Sequence, residues 1–160
     1  MTKIDANTFY CCANISLTSL PSGVTEIGES AFNGCSNLAL TSLPDGVIKI
    51  DGKAFNGCAK ITVSTLPSNL TYIGGYAFYN CYKLAITEIP AGVTRVEASA
   101  FAYCKSLASI TFKGTPDFVG ISCFNGTSSL TDIYVPWSEG AVANAPWGAA
   151  YATIHYNSEV

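Results

Sequence analysis

The stretch GKAFNGC, at residues 52–58, decides the fold because close variants of it return at a fixed interval: ESAFNGC at 29–35, GYAFYNC at 75–81 and ASAFAYC at 98–104. Each copy begins 23 residues after the previous one. The same interval separates six phenylalanines, namely Phe9, Phe32, Phe55, Phe78, Phe101 and Phe124. It also separates Cys12, Cys35, Cys58, Cys81 and Cys104, with Thr127 in the next position. Several ladders in phase indicate an internal structural repeat.

A repeat of this length predicts a solenoid. One 23-residue coil is too short to enclose its own apolar side chains, so these must be buried against the equivalent residues of the next coil. Each ladder then runs as a column through the stack, with rungs about 4.8 Å apart where strands pair. We therefore expect about six coils and one parallel sheet.

One coil can be followed from Leu38. LALTSLP, at 38–44, places Leu38 and Leu40 on one face of a strand, and Pro44 ends it because proline donates no ladder hydrogen bond. A glycine-containing turn leads to a second apolar pair, Val47 and Ile50. The Ala-Phe-x-x-Cys phrase then predicts a single helical or 3₁₀ turn.

The last two coils depart from this pattern. Their apolar residues follow the leading leucine at offsets of three and five, whereas earlier coils use two and five, so we expect the strand to shift or bulge near Leu107. The tail breaks the period, and Trp137, Trp147 and Tyr151 are suited to cover the last coil. The predicted division is a solenoid over 1–136 and a capping segment over 137–160. The N-terminal end is expected to be bare, truncated or covered by another chain.

Composition excludes several functions. The 160 residues are 49% hydrophobic and only 12% charged, with a net charge of −3. No basic stripe is present, which argues against binding nucleic acid or an anionic membrane surface. The uncharged stretch 61–82 contains Pro67, Gly74 and Gly75, which argues against membrane insertion.

The seven cysteines match no zinc-binding spacing and include no C-x-x-C pair, so the sequence predicts neither metal nor cofactor. The ladder cysteines are interpreted as small buried thiols. Cys123 replaces an alanine of the repeat and should also be buried. Cys11 replaces a glycine, so it should be exposed and is the candidate reactive thiol. The only histidine, His155, is interpreted as a surface residue, and no catalytic residue is predicted.

Two surfaces are candidate binding sites. The outward positions of the predicted strand ladder carry short hydroxyls and one carboxylate: Thr18, Ser19, Thr41, Ser42, Ser64, Thr65, Thr87 and Glu88. Such a face could bind another backbone or a glycan, or could simply favour strands and solubility. The second candidate is a set of four tyrosines in one coil, Tyr72, Tyr76, Tyr79 and Tyr82, of which two or three could share a patch, Tyr76 and Tyr79 being the predicted site residues. Tyrosine is enriched at interfaces, although partial burial between coils is the alternative.

The repeat resembles a leucine-rich repeat of the BspA-like class. The resemblance rests on a proline after the strand and on an Ile-Gly-x-x-Ala-Phe-x-x-Cys-x-x-Leu string, seen as IGESAFNGCSNL at 27–38 and IGGYAFYNCYKL at 73–84. IYVP at 133–136 and the tryptophan-containing tail look like the C-terminal cap of that class. The resemblance covers essentially the whole chain.

The resemblance implies a non-enzymatic bacterial module, secreted or on the cell surface, that adheres to host or microbial proteins or glycans. Because residue 1 falls partway through a repeat, we expect the chain to be a fragment of a longer protein, with a cytosolic protein as the alternative. Two other hypotheses stay open: a structural spacer that presents other domains, and an enzyme with an unrecognised site. Binding of protein and glycan arrays would separate these hypotheses, because the fold itself dictates no ligand.

Overall fold

The chain forms a parallel β-solenoid of about seven turns, as the repeat predicts, with the seventh formed by the tail. This computed structural model describes residues 2–160, and those residues contain no helix. The strands are short: β1 (Lys3–Ile4), β2 (Glu26–Ile27), β3 (Lys49–Ile50), β4 (Tyr72–Ile73), β5 (Glu88–Ile89), β6 (Arg95–Val96), β7 (Ser109–Phe112), β8 (Phe118–Val119), β9 (Asp132–Tyr134) and β10 (Thr153–His155).

The longer ladder, β1-β2-β3-β4-β6-β8, runs through six coils with a constant register of 23 residues. In each two-residue strand the second residue is aliphatic and buried, and the first faces outward. Ile27, Ile50 and Ile73 thereby form one continuous column in the core. This is the second apolar segment of the predicted coil.

A second ladder, β10-β9-β7-β5, uses the segment that begins at the repeat leucine, so the prediction of one sheet is wrong. The reason lies in the apolar spacing. Ile110 and Phe112 are two residues apart and both buried, which fits the alternation of a strand, whereas Leu40 and Leu43 are three apart and both buried. The early coils can bury both leucines only by leaving the regular pleat. The second buried residue moves from Ile86 to Ile110, one place later in the coil. The strand shift or bulge expected near Leu107 is not seen, because β5 and β7 pair in the constant 23-residue register.

The Ala-Phe-x-x-Cys corner is a series of tight turns rather than the predicted helical or 3₁₀ turn. Alternate amides bond within the coil, as in Ala31 N–H to the Gly28 carbonyl, and the others bond to the next coil, as in Phe32 N–H to the Ala54 carbonyl at 2.8 Å. A helix would keep every amide within its own coil. The corner instead adopts left-handed backbone at two positions four residues apart, such as Lys53 (φ 57°) and Gly57 (φ 75°).

The phenylalanine ladder is a single enclosed column, as predicted. Successive ring centroids from Phe9 to Phe124 lie 5.0–5.8 Å apart, with planes within 14° of parallel. Every ring from Phe32 onward is fully buried, and Phe9 is half-buried. The column is the centre of the core that holds the coils together.

Backbones of successive coils approach closely at the position after the first ladder, and glycine occupies that position in every second coil. A Cβ on Gly74 would lie 2.4 Å from the Gly52 amide nitrogen, and one on Gly120 would lie 2.3 Å from the Ala98 amide nitrogen. The coils between carry an acid there, Asp51 or Glu97. Each acid pairs with a cation two residues earlier, Lys49 or Arg95, at 2.9 Å.

The C-terminal end of the stack is covered by aromatic side chains. Trp137 and Trp147 are buried, and their centroids lie 5.3 Å and 6.1 Å from that of Phe112. Tyr151, also predicted to cover the last coil, is 74% exposed and does not. The division at residue 136 stays a prediction, and the segment after it contributes β10 to the second ladder.

Candidate functional site

The hydroxyl-bearing residues of the strand segment are exposed along one side of the stack, and three of them meet Glu88 in a cleft. Thr41, Ser42, Ser64, Thr65, Thr87 and Glu88 all face solvent, as predicted. Ser64, Thr65, Thr87 and Glu88 line a cavity of about 290 Å³ between two successive coils. We call it the hydroxyl cleft; its other lining residues are Leu66, Ser68, Pro90, Ala91 and Lys113.

The cleft lies where the second ladder begins. β5 pairs with β7 on one side only, and among the backbone hydrogen bonds of the described residues none joins 64–67 to 87–90. The two coils are thus not joined by a ladder along this edge.

The cleft combines hydroxyl, charged and apolar groups. Glu88 and Lys113 form an exposed ion pair, with Oε1 and Nζ 3.9 Å apart. Hydroxyls from Ser64, Thr65 and Thr87 can both donate and accept hydrogen bonds, and Leu66 and Pro90 add apolar surface. Such a mixture suits reversible binding of a polar ligand with some apolar area.

A second cleft repeats this arrangement two coils earlier. Ser42 lines a cavity of about 270 Å³ with Ser19, Ser22, Asp45 and neighbouring apolar residues. Thr41 is exposed but lines neither cavity. The predicted residues are therefore divided between two clefts rather than gathered in one flat face.

Tyr76 and Tyr79 lie side by side, but they lie apart from the hydroxyl cleft. The rings of Tyr76 and Tyr79 have centroids 5.4 Å apart, and neither residue lines the cleft. Tyr103, from the next coil, approaches Tyr79 at 5.3 Å. The sequence analysis missed Tyr103, whose position 24 residues after Tyr79 would have indicated a neighbour in the next coil.

Lys113 is the other residue that the sequence analysis missed. It lies two residues beyond Thr111, the register partner of Glu88. Side chains two residues apart along a strand point to the same face. The positive charge at position 113 could therefore have been predicted to lie near the negative charge of Glu88.

The ladder thiols have a structural role. The Sγ atoms of Cys35, Cys58, Cys81 and Cys104 each donate to the carbonyl of the phenylalanine 26 residues earlier, at 3.0–3.1 Å. Burial raises the pKa of each of these thiols, and raises that of Cys123 to about 12. Because the thiolate is the nucleophile, these residues are chemically inert.

Two cysteines are exposed: Cys11, as predicted, and Cys12, which was wrongly placed among the buried thiols. Cys12 belongs to the ladder register, but the described residues place no earlier coil against it. Its exposure shows that the neighbouring coil, rather than the register, determines burial.

His155 is a paired residue of β10 rather than an isolated surface side chain. Its Nε2 lies 2.7 Å from Asp132 Oδ1, and its ring stacks on Tyr134 with centroids 4.4 Å apart. The hydrogen bonds from His155 and then from Thr131 lower the pKa of Asp132. These side-chain contacts stabilise the pairing of β10 with β9.

A larger cavity lies at the N-terminal end. About 520 Å³ opens beside Ile4, Phe9, Leu17, Leu20 and Pro21. Leu17 is 41% exposed.

The described part of the chain, residues 2–160, holds no cluster of three or more side chains able to bind a metal ion. It also holds no helix that could cross a membrane.

Comparison with known proteins identifies the repeat. The family model described as "BspA type Leucine rich repeat region" matches residues 2–138 in six copies. None of the curated proteins matches the chain.

Three crystal structures are similar. A leucine-rich repeat protein from Bacteroides ovatus is 34% identical with a TM-score of 0.71, and the match covers 84% of this chain. A leucine-rich repeat protein from T. pallidum is 25% identical with a TM-score of 0.72, covering 98% of this chain and 80% of that protein. A leucine-rich cell surface protein from Faecalibacterium prausnitzii is 22% identical with a TM-score of 0.51, covering 99% and 64%, a likeness of fold alone. The chain spans only 35% of the length of the B. ovatus protein.

Proposed function

Since this chain belongs to the BspA-type leucine-rich repeat family, a family of generally non-catalytic binding repeats, we propose that it is a bacterial extracellular module that binds a protein or a glycan through the hydroxyl cleft. The observation that carries the proposal is the meeting of Ser64, Thr65, Thr87 and Glu88 in one cavity beside Lys113. The extracellular location and the adhesive role in this proposal are taken from what the family resemblance implies.

The shape and chemistry of the cleft support this choice. A volume of about 290 Å³ is at the small end of ligand pockets, which suits one sugar unit or a short peptide segment. Four residues with neutral hydroxyls lie among apolar residues in the lining, and the ion pair between Glu88 and Lys113 is solvent-exposed. We therefore expect recognition by hydrogen bonds, with modest salt dependence.

The proposal is tested by screening the folded chain against arrays of extracellular matrix proteins and bacterial and host glycans. For any ligand found, the double variant Thr65→Ala, Thr87→Ala should bind at least about tenfold more weakly. The matched control is Thr18→Ala, Thr41→Ala, which removes two exposed threonines of the same side that line neither cavity. The control should bind like the unchanged chain.

Two outcomes contradict the proposal. Equal losses in both double variants would assign binding to the whole hydroxyl-bearing side rather than to the cleft. Folded protein that binds nothing on either array would favour the alternative that the repeat serves as a structural spacer.

A further inference from the structure

The hydroxyl cleft and the second cleft occupy equivalent places in the stack, two coils apart. Six of the seven residues that line the second cleft have a counterpart in the hydroxyl cleft 46 residues later, which is twice the repeat interval of 23. Three of these pairs are Ser19 and Thr65, Leu20 and Leu66, and Ser22 and Ser68. The volumes are also close, about 270 Å³ and 290 Å³. The same kind of cleft thus occurs twice along one side of the stack.

A side chain bridges the junction that lies between the two clefts. Nδ2 of Asn69 donates to the Asp45 carbonyl oxygen in the preceding coil, at 3.3 Å. At the two clefts the equivalent positions are Gly46 and Gly92, which have no side chain to reach back to the coil before. The turns are therefore open at the two clefts and bridged at the junction between them.

Two coil steps set the distance between the clefts. The ring centroids of Phe32, Phe55 and Phe78 advance by 5.4 Å per coil. Paired strands advance by about 4.8 Å, so the two clefts lie roughly 10 Å apart along the stack. A ligand that fills both clefts must present similar groups at that spacing.

The linings favour an uncharged ligand that is rich in hydroxyls. Each cleft combines serine or threonine hydroxyls with one carboxylate, which is Asp45 in the second cleft and Glu88 in the hydroxyl cleft. Lys113 is the one cation among the described lining residues, and it lies 3.9 Å from Glu88. Sugar hydroxyls can donate to the carboxylates and can both donate to and accept from the protein hydroxyls, whereas a polyanion would be repelled.

We propose that the two clefts together bind a neutral β-1,4-linked polysaccharide that lies along the stack, an inference that rests on the proposed function. In an extended β-1,4-linked chain, alternate sugar units present the same face in the same direction. The disaccharide repeat of such a chain matches two coil steps in length. One sugar unit lies in each cleft, and the unit between them passes over Asn69.

Two kinds of peptide fit the clefts less well. An extended peptide returns its side chains to the same face every two residues, about 6.8 Å, which does not match the spacing of the clefts. A polyproline II segment returns every three residues, about 9 Å, which is closer. Its usual receptors, however, are lined by aromatic side chains, and neither cleft has an aromatic residue among its described lining residues.

The test is isothermal titration calorimetry of the whole chain with three neutral β-1,4-linked probes, cellohexaose, chitohexaose and mannohexaose. At least one hexaose should bind at least about tenfold more tightly than its own disaccharide, because the disaccharide cannot reach both clefts. Maltohexaose, whose α-linkages curl the chain, and decaproline should bind no better than the disaccharide. The proposal is overturned if no β-linked hexaose binds, if hexaose and disaccharide bind equally, or if decaproline binds more tightly.

Matched double variants locate the bound hexaose. Ser19→Ala, Ser42→Ala alters the second cleft, and Thr65→Ala, Thr87→Ala alters the hydroxyl cleft. All four residues are exposed, so both variants should fold. Each should weaken hexaose binding by at least about tenfold, to near the affinity of the disaccharide. The threonine control used for the hydroxyl cleft, which alters neither cavity, should bind like the unchanged chain.

These variants also keep the two proposals apart. If the second-cleft variant binds hexaose like the unchanged chain and the hydroxyl-cleft variant does not, the two-cleft inference is overturned and the proposed function stands. If both variants bind like the unchanged chain, the ligand lies elsewhere and both proposals are overturned.

Discussion

The two ends of the stack bury equivalent residues to different degrees. At the C-terminal end, Trp137 and Trp147 cover the last coil, and Phe124 is fully buried beneath them. At the N-terminal end, Phe9 is half-buried and a cavity of about 520 Å³ opens beside it. Cys12 is exposed although Cys35, in the same register, is fully buried.

The difference shows that a side chain's position in the repeat decides whether it points inward, whereas the coils on either side decide whether it is buried. A coil in the middle of the stack has a partner above and below, and an end coil has one. Equivalent substitutions should therefore cost most at the centre and least at the uncovered end.

Replacement of phenylalanine should show the largest contrast. Phe78→Ala removes a ring packed between Phe55 and Phe101 and should lower the free energy of unfolding by about 3–5 kcal/mol. Phe9→Ala should cost clearly less, because Phe9 stacks only on Phe32. Urea denaturation of both variants measures the difference, and equally mild losses would contradict the buried column.

A glycine pair tests the close approach of backbones. Gly74→Ala places a methyl group 2.4 Å from the Gly52 amide nitrogen and should destabilise the chain by about 2–3 kcal/mol. The control is Gly52→Ala, whose methyl would meet only the Gly75 carbonyl oxygen, at 3.5 Å. If thermal melts of the two variants coincide, the coils are not in contact at this position.

The cysteine ladder predicts a smaller contrast. Cys81→Ala removes a buried sulfur and leaves the Phe55 carbonyl without its thiol donor, which should cost about 1–2 kcal/mol. Cys12→Ala should change stability little. Iodoacetamide should correspondingly modify Cys11 and Cys12 in the native protein and leave the other five thiols unmodified, as measured by mass spectrometry. Modification of Cys81 before Cys12 would contradict the ladder.

The smallest effect concerns the final strand and its pH dependence. The hydrogen bond from His155 lowers the pKa of Asp132 from its ordinary value of 3.8. Its stabilising contribution is therefore present above pH 3.8 and is lost as the pH falls through the folded pKa. Asp132→Asn should lower the melting temperature slightly at pH 6 and not at strongly acidic pH.

Asp117→Asn serves as the control for that measurement, because the Asp117 side chain makes no ion pair among the described residues. Its melting temperature should follow that of the unchanged chain at each pH. A pH-independent loss in Asp132→Asn would show that the carboxylate charge does not hold β10.

Much of the fold could be predicted from sequence because stacking makes side-chain identity periodic. Phe32, Phe55 and Phe78 face one another, so their interval gives the coil length and the core together. The division into two ladders was harder to predict. It depends on whether apolar residues two or three apart can both point inward, which backbone geometry decides.

The corner turns were mispredicted for a similar reason. Ala31, Phe32 and Cys35 have offsets of one and three, which a single helical turn would also place on one face. The actual turns depend on where alternate amides find acceptors, and those acceptors belong to the next coil.

The candidate sites were predictable in part. Exposure of Thr65, Thr87 and Glu88 followed from their places between the apolar residues of each coil. The cleft between coils did not, because it arises where the second ladder begins. Tyr103 and Lys113 belong to coils adjacent to the other residues of their sites, so they could not be predicted from the sequence of one coil alone.

Glycine and an acidic residue alternate from coil to coil at the position after the first ladder. The structural unit that repeats is therefore two coils. Inserting one extra coil would bring two glycine-bearing coils, or two acidic ones, into direct succession and disturb the tightest contact in the stack. Adding a matched pair would preserve it. Growth of such a protein by gene duplication is thus expected to proceed in even steps, so that its length increases by pairs of coils.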